Sequence, residues 1–238
     1  MQRYFAQVNQ NKVLLTEDDA NHVIHVMRNK VGDEIEVVFN NKLFLCGISS
    51  IKPLDIVVIK ELSSNNNTKD ITLFYALAKG EKISFVIQKA TELGAKNIVL
   101  FASKRCVVKL DNDDFNKKLP RYIKIAKEAS EQSLRLDIPN IVGVCPINKL
   151  PKEYLAGNLY VAYEKEAGST SSFYNELLNA KKDEPIGIAI GPEGGFEHSE
   201  IEMLNALGFK NASLGSRILR TETAAVYALS VIGFMLER

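Results

Sequence analysis

The chain has 238 residues, 46% of them hydrophobic and 25% charged. That composition belongs to a folded globular protein and excludes a disordered chain. No apolar run is long enough to span a bilayer, and a net charge of +1 supplies no overall field to attract nucleic acid or an anionic membrane.

The first seventy residues read as a small β-rich unit. Lys12 to Leu15 is a short strand candidate, and Glu17 to Arg28 a short helix. Val31 to Phe39 alternates well enough for a strand after a Gly-Asp turn, and Leu43 to Ile51 and Ile56 to Leu62 add two more. Ser63 to Asp70 has no apolar residue and is the best linker in the chain. The expected domains are therefore 1–68 and 71–238.

Beyond the linker, strands alternate with helices, the signature of an α/β domain. Ile71 to Ala78 is a strand. Ile83, Val86, Ile87, Ala90 and Leu93 mark an amphipathic helix that stops near Gly94. Asn97 to Ala102 is a strand, and Phe115, Leu119, Tyr122, Ala126 and Ala129 mark a longer helix ending near Leu134. Leu159 to Tyr163 and Ile186 to Ile190 are strands, with a helix over Ser172 to Ala180 between them. A Gly-rich loop, GPEGGF at 191–196, leads to a helix for which Ser199 and Glu202 form a candidate capping box and Gly208 a stop. Ala212 to Leu214 is a short strand. A second loop within LGSRILRTETA (214–224) opens the last helix, whose Val226, Leu229, Ile232 and Leu236 recur at helical spacing. Thr221 is its candidate cap, and Glu222 suits the positive end of the helix dipole.

Two strand-to-loop-to-helix corners so close together are where open α/β sheets place ligands. GPEGGF lacks the following Gly-Lys-Ser/Thr of a P-loop and the G-x-G-x-x-G of a Rossmann fingerprint, which argues against ATP and NAD. Arg217 and Arg220, three apart, can hold a phosphate or carboxylate or stabilise charge developing on an oxygen; surface arginines that steady a loop are the plainer alternative. Cys46, Cys106 and Cys145 form no C-x-x-C pair, so neither a disulfide framework nor zinc is expected. His22 and His25 lack a third ligand, so no metal is expected. Met1 is not followed by a signal-peptide core, and a cytoplasmic setting is expected.

The charge is uneven. Residues 79–135 carry 13 Lys/Arg against 7 Asp/Glu, residues 1–70 carry 8 against 9, and residues 136–238 carry 9 against 13. A basic middle fits either a local anionic partner or a solvated lysine-rich face.

The motifs GPEGGF and LGSRILRTETA, with KGEK (79–82), QKATELG (88–94), RCVVK (105–109) and EASEQ (128–132) in this order and spacing, resemble the RsmE family, the 16S rRNA uridine-N3 methyltransferases of the SPOUT class. The resemblance covers nearly the whole chain. It implies an α/β SPOUT domain with a deep trefoil knot, preceded by a PUA-like β-barrel that helps bind RNA. It also implies that S-adenosylmethionine is gripped largely through main-chain groups. Carried over, the cofactor segments are Ala162, Tyr163 and Glu164; Ile190, Gly191, Pro192, Glu193, Gly194 and Gly195; and Leu214, Gly215, Ile218, Leu219, Arg220, Thr223 and Ala224. Arg220, Arg217 and Glu222 are the expected catalytic side chains. Arg3, His22, Arg28, Lys30, Lys89, Arg105, Lys109, Gln132 and Arg135 are the expected RNA surface, with 16S rRNA or the small ribosomal subunit as partner. SPOUT domains pair through helices beside the knot, so a homodimer with the last helix at its interface is expected, weakened by Ala228→Arg or Ile232→Arg.

Overall fold

The structure, a computed structural model, describes residues 1–64, 69–163, 172–181 and 183–236. The chain divides into two compact units, one of Met1–Asn67 with Lys127–Ile138, the other of Thr68–Ala126 with Pro139–Arg238.

The first unit holds β1 (Arg3–Phe5), β2 (Gln7–Asn9), β3 (Lys12–Leu14), α1 (Glu17–Asn21), a π-helical turn over His22–Val26, β4 (Glu34–Phe39), β5 (Lys42–Ile51) and β6 (Leu54–Leu62). Their order is β1-β4-β5-β6-β3-β2, with β1 parallel to β4 and the other pairs antiparallel. The edge strands β1 and β2 are separated in the chain only by Ala6, so the sheet curls until its edges meet, as a barrel. Two hairpins turn on residue pairs with positive φ, Gln10-Asn11 and Asn40-Asn41, the conformation that matches the twist of the flanking strands. Strand alternation then puts Tyr4, Ile35, Val37, Cys46, Ile48 and Ile56 into one core.

The sequence places Lys127–Ile138 in the second domain, but this stretch packs in the first unit. Lys127 Nζ donates to Asp19 Oδ1 and to Glu131 Oε1, both at 2.7 Å. Glu131 in turn accepts the Phe5 N–H at 3.0 Å. Leu136 packs with Val38 and Leu43. These tertiary partners decide the placement, and none of the contacts to the barrel is local in sequence.

The second unit contains β7 (Ile71–Ala76), α2 (Lys82–Glu92), β8 (Asn97–Ala102), most of α3 (Asn112–Gln132), β9 (Asn140–Pro146), β10 (Asn158–Ala162), α4 (Phe173–Leu178), β11 (Ile186–Ile190), α5 (His198–Ala206), β12 (Lys210–Ala212) and α6 (Thr221–Leu236). Its sheet, β12-β10-β11-β7-β8-β9, is parallel throughout. Every residue of β7 and β11 is buried, as expected of parallel strands covered on both faces. From β7 the chain steps outward through β8 and β9, then returns to the far side of β7 to lay down β10, β11 and β12. The carboxyl ends of those last three neighbours adjoin this reversal.

Two helix starts differ from expectation. Helix α5 is capped by Glu197, in a box with Glu200, rather than by Ser199 with Glu202, and so begins at His198; Glu200 is buried and accepts the Glu197 N–H at 3.0 Å, the Ser103 hydroxyl at 3.1 Å and the Lys104 N–H at 2.8 Å. Ser199 Oγ instead accepts from Lys104 Nζ at 3.0 Å. Thr221 does not cap α6. It is the first helical residue, and its hydroxyl donates to the Gly191 carbonyl at 2.7 Å.

Candidate functional site

The segments leaving β10, β11 and β12 enclose a cavity of about 570 Å³. Ala162 and Tyr163 form one wall, residues 190–196 a second, and residues 213–220 a third; Lys82, Thr221 and Ala224 complete it. The volume is that of a drug-sized ligand site.

The local shape follows from the sequence. Phe196 folds under the first loop, stacked on Phe101 with ring centroids 6.1 Å apart. It lies so close that a Cβ at Gly191 would stand 3.0 Å from its ring. A Cβ at Gly194 would meet Arg105 Cβ at 3.0 Å, and Arg105 Nη1 donates to the Gly194 carbonyl at 3.1 Å. Gly215 has φ +116°, with nothing within 4 Å of where a Cβ would be. Its requirement is therefore conformational rather than a matter of room within the protein. Ser213 Oγ lies 3.2 Å from both the N–H and the carbonyl of Gly215 and fixes that bend. The hydrogen bond from Thr221 to Gly191 ties the first loop to α6.

Charge is concentrated in two places. Lys82 Nζ lies 3.1 Å from Glu193 Oε1 and 3.2 Å from Glu222 Oε2. Burial alone would lower the Lys82 pKa, but the two carboxylates outweigh it and hold the ammonium above its ordinary value. Partial burial would raise Glu193; its own backbone N–H, Lys82 and the Lys79 N–H outweigh this and hold it below the usual carboxylate range. Arg217 and Arg220 line the same cavity and are exposed, and no carboxylate among the described residues pairs with either guanidinium. Two forks with open valences beside an apolar-lined cavity suit an anion or a developing oxyanion.

Comparisons with known proteins bear on this geometry. An RNA methyltransferase domain model matches residues 64–233, and an RNA methyltransferase PUA domain model matches residues 15–61. Ribosomal RNA small subunit methyltransferase E of Bacillus subtilis is 36% identical, over 100% of this chain and 98% of its own. The chain belongs to the ribosomal RNA small subunit methyltransferase E family. The Mesomycoplasma hyopneumoniae member is 33% identical over 97% of this chain and 98% of its own. A methyltransferase from Legionella pneumophila, solved with S-adenosylmethionine bound, superposes with a TM-score of 0.83 at 29% identity, covering 97% of this chain and 96% of that one. The fold is accordingly the SPOUT α/β knot, preceded by a PUA-like barrel, that the resemblance implied.

Within this methyltransferase family member, the structure gathers most of the expected cofactor residues at one cavity: Ala162, Tyr163, Ile190 to Gly195, Leu214, Gly215, Ile218, Leu219, Arg220 and Ala224. Thr223 is not among them; it is exposed on the outer side of α6. Glu164 lies outside the described residues. Sequence reasoning missed Lys82, Phe196, Ser213 and Thr221 as lining residues. A signal for Lys82 existed, since a lysine in the first turn of a helix opposes the helix dipole and needs a reason.

The expected RNA surface divides. Arg3 and Arg135 are each only 8% exposed. Arg3 is spent on Glu36 at 2.7 Å and on the Leu134 carbonyl, and Arg135 on Asp137 at 3.1 Å. Both are structural ion pairs and offer no charge to a phosphate. His22 Nδ1 is 2.9 Å from the Tyr4 hydroxyl, and Lys89 is paired with Glu92 at 2.7 Å. Arg28, Lys30, Arg105, Lys109 and Gln132 are exposed.

Proposed function

We propose that this protein transfers a methyl group from S-adenosylmethionine to N3 of a uridine in 16S rRNA. The observation that carries the reading is the cavity itself, framed by the segments after three strand ends and lined by two arginines that have no carboxylate partner among the described residues. Its apolar side chains, Ile190, Leu214, Ile218 and Leu219, suit an adenine face. Gly195 and Gly215, with φ of +68° and +116°, shape the bends of two loops that line the cavity.

S-adenosylmethionine brings a methyl already activated by its sulfonium. What remains for the protein is positioning and electrostatics. The uracil N3–H is a weak acid, and its nitrogen is a good nucleophile only as that proton leaves. The Arg217 or Arg220 guanidinium beside a neighbouring uracil oxygen stabilises the resulting anion. The N-terminal unit is assigned to RNA contact through its exposed Arg28 and Lys30, and the second unit through Arg105 and Lys109. An RNA substrate on the ribosome implies a cytoplasmic setting.

A homodimer belongs to the same proposal. Tyr227 and Phe234, 43% and 57% exposed, share one face of α6 with Thr223 and Ser230. Phe85 on α2, which packs against α6, is exposed as well. An apolar stripe on a helix otherwise covered suits a second copy of this chain.

The test is incubation of the purified protein with S-adenosylmethionine and small ribosomal subunits lacking the modification, followed by nucleoside digestion and mass analysis. N3-methyluridine is the expected product. A methylated ribose, or a different methylated base, would replace the uridine-N3 assignment. No incorporation under conditions of demonstrated S-adenosylmethionine binding would point to a non-catalytic rRNA-binding factor.

A further inference from the structure

Lys82 is a cation placed where helix physics disfavours one. It occupies the first turn of α2, close to the positive end of the helix dipole. There it touches carboxylates from two segments far apart in sequence, Glu193 in the loop after β11 and Glu222 in the first turn of α6. The backbone just before it joins in, since the Lys79 N–H donates to Glu193 Oε1 at 3.4 Å. All three side chains are partly buried, with exposures between 19% and 25%, so solvent screens the contacts only in part. The remaining titratable groups facing the pair are the Tyr75 hydroxyl on β7, which is buried, and the Cys106 thiol after β8. Burial first, with Glu222 and Glu193 adding to it, keeps Tyr75 protonated, and burial likewise raises Cys106. Neither supplies a cation. Lys82 is thus the sole ammonium in contact with both carboxylates among the described residues.

We infer that Lys82 is a positioning residue: one ammonium latches the loop after β11 to the start of α6 and so holds the cofactor cavity closed. Without it, Glu193 and Glu222 face each other as like charges in a partly buried site, and their repulsion works against the Thr221–Gly191 hydrogen bond that also joins the two walls, unless one carboxylate takes up a proton. The inference rests on reading the cavity as a S-adenosylmethionine site. Its sign with pH follows directly. In the wild type, against partial burial, two backbone N–H groups and the Lys82 ammonium hold Glu193 below the usual carboxylate range, so binding is expected to be flat from about pH 5.5 to about pH 8. In Lys82→Met the closed form favours a shared proton, which raises the pKa of the pair; closure is present below that raised value and is lost as pH rises through it.

Calorimetry with S-adenosylmethionine from about pH 5 to about pH 8, on proteins shown to be folded by circular dichroism, tests this. Lys82→Met is expected to weaken binding about tenfold at neutral pH and to recover as pH falls. Lys82→Arg, which keeps a charge able to reach both partners, is expected to bind within about threefold of wild type. Lys82→Met combined with Glu193→Gln is expected to regain most of the affinity and to lose the pH dependence, a rescue that a purely structural role would not produce. Lys82→Met that binds like wild type across the range would overturn the latch alone. The latch is overturned as well if the weakening in Lys82→Met is independent of pH and Glu193→Gln brings no recovery. Should Lys82→Met fail to fold, the comparison of Glu193→Gln with Glu193→Gln/Lys82→Arg decides. The latch requires Glu193→Gln alone to remove most of the Lys82 contribution, so that Lys82→Arg changes affinity by less than about threefold in either background, and a large further loss in Glu193→Gln/Lys82→Arg would refute it. Wild-type protein that binds no S-adenosylmethionine would instead remove the reading of the cavity, and the latch with it.

Discussion

Arg220 and Gly215 are proposed to serve the site in two different ways. Arg220 lines the cavity with an exposed guanidinium, and its carbonyl accepts the Ala224 N–H at 2.8 Å as α6 begins. Truncation to alanine removes the fork and leaves that backbone bond. Arg220→Ala is therefore expected to lower the methyl-transfer rate about a hundredfold or more while S-adenosylmethionine affinity stays within a few-fold; single-turnover kinetics and calorimetry separate the two. Gly215 acts through its backbone alone. Gly215→Val has free space around the new Cβ but must hold φ near +116°, a region that β-branched residues rarely enter. Loss of S-adenosylmethionine binding with an unchanged circular dichroism spectrum is the expected result; normal calorimetric binding would mean that this bend is not needed. Gly194 faces backwards onto Arg105, so a change at either residue disturbs the loop itself.

At the scale of elements, α6 divides its residues sharply. Ala228 and Ile232 are wholly buried within one chain, so the arginine substitutions expected from sequence to weaken association would unfold the domain instead. The informative positions are Tyr227 and Phe234. Tyr227→Arg with Phe234→Arg is expected to shift the protein towards monomer in sedimentation at micromolar concentration with little change in thermal stability, and an unchanged sedimentation coefficient would remove this face from the interface. The sequence made α6 legible as a helix but not which side was covered, because it is apolar nearly all round and periodicity has no contrast to report. The parallel strands β7 and β11 were legible as unbroken apolar runs. β9 was not, since Gly143 and Pro146 interrupt it and its residues are only half buried, without alternation. β1 and β2, three residues each, are too short to carry a period. The cavity was legible for a different reason: its lining comes from loop motifs whose glycines and arginines are specific in themselves.

For the whole molecule, the basic surface is smaller than the charge count suggested. Arg3 and Arg135 answer internal carbonyls and carboxylates, and Lys89 answers Glu92. Sequence spacing cannot reveal such partners, because they meet only after folding. RNA affinity should fall steeply with salt. Reversing Arg28, Lys30 and Lys109 to glutamate should weaken it about tenfold or more at about 0.1 M salt with S-adenosylmethionine affinity unchanged. Arg3→Ala should lower the melting temperature instead; filter binding and thermal melts make the comparison, and full RNA affinity in the triple variant would relocate the surface. The first unit also takes a segment from well beyond its own end, Lys127–Ile138, which supplies Lys127 and Glu131 to Asp19 and Phe5 and Leu136 to the core beside Val38. On a translating ribosome the N-terminal barrel therefore cannot mature when its last strand emerges. It must wait, with Asp19 lacking its ammonium partner, until residue 138 has cleared the exit tunnel, and most of β7 to α3 is made in the interval. The usual order in which an N-terminal domain finishes before its neighbour begins does not apply here. A stalled chain ending anywhere between residues 70 and 126 should be open to protease in its barrel, where the full-length protein is not.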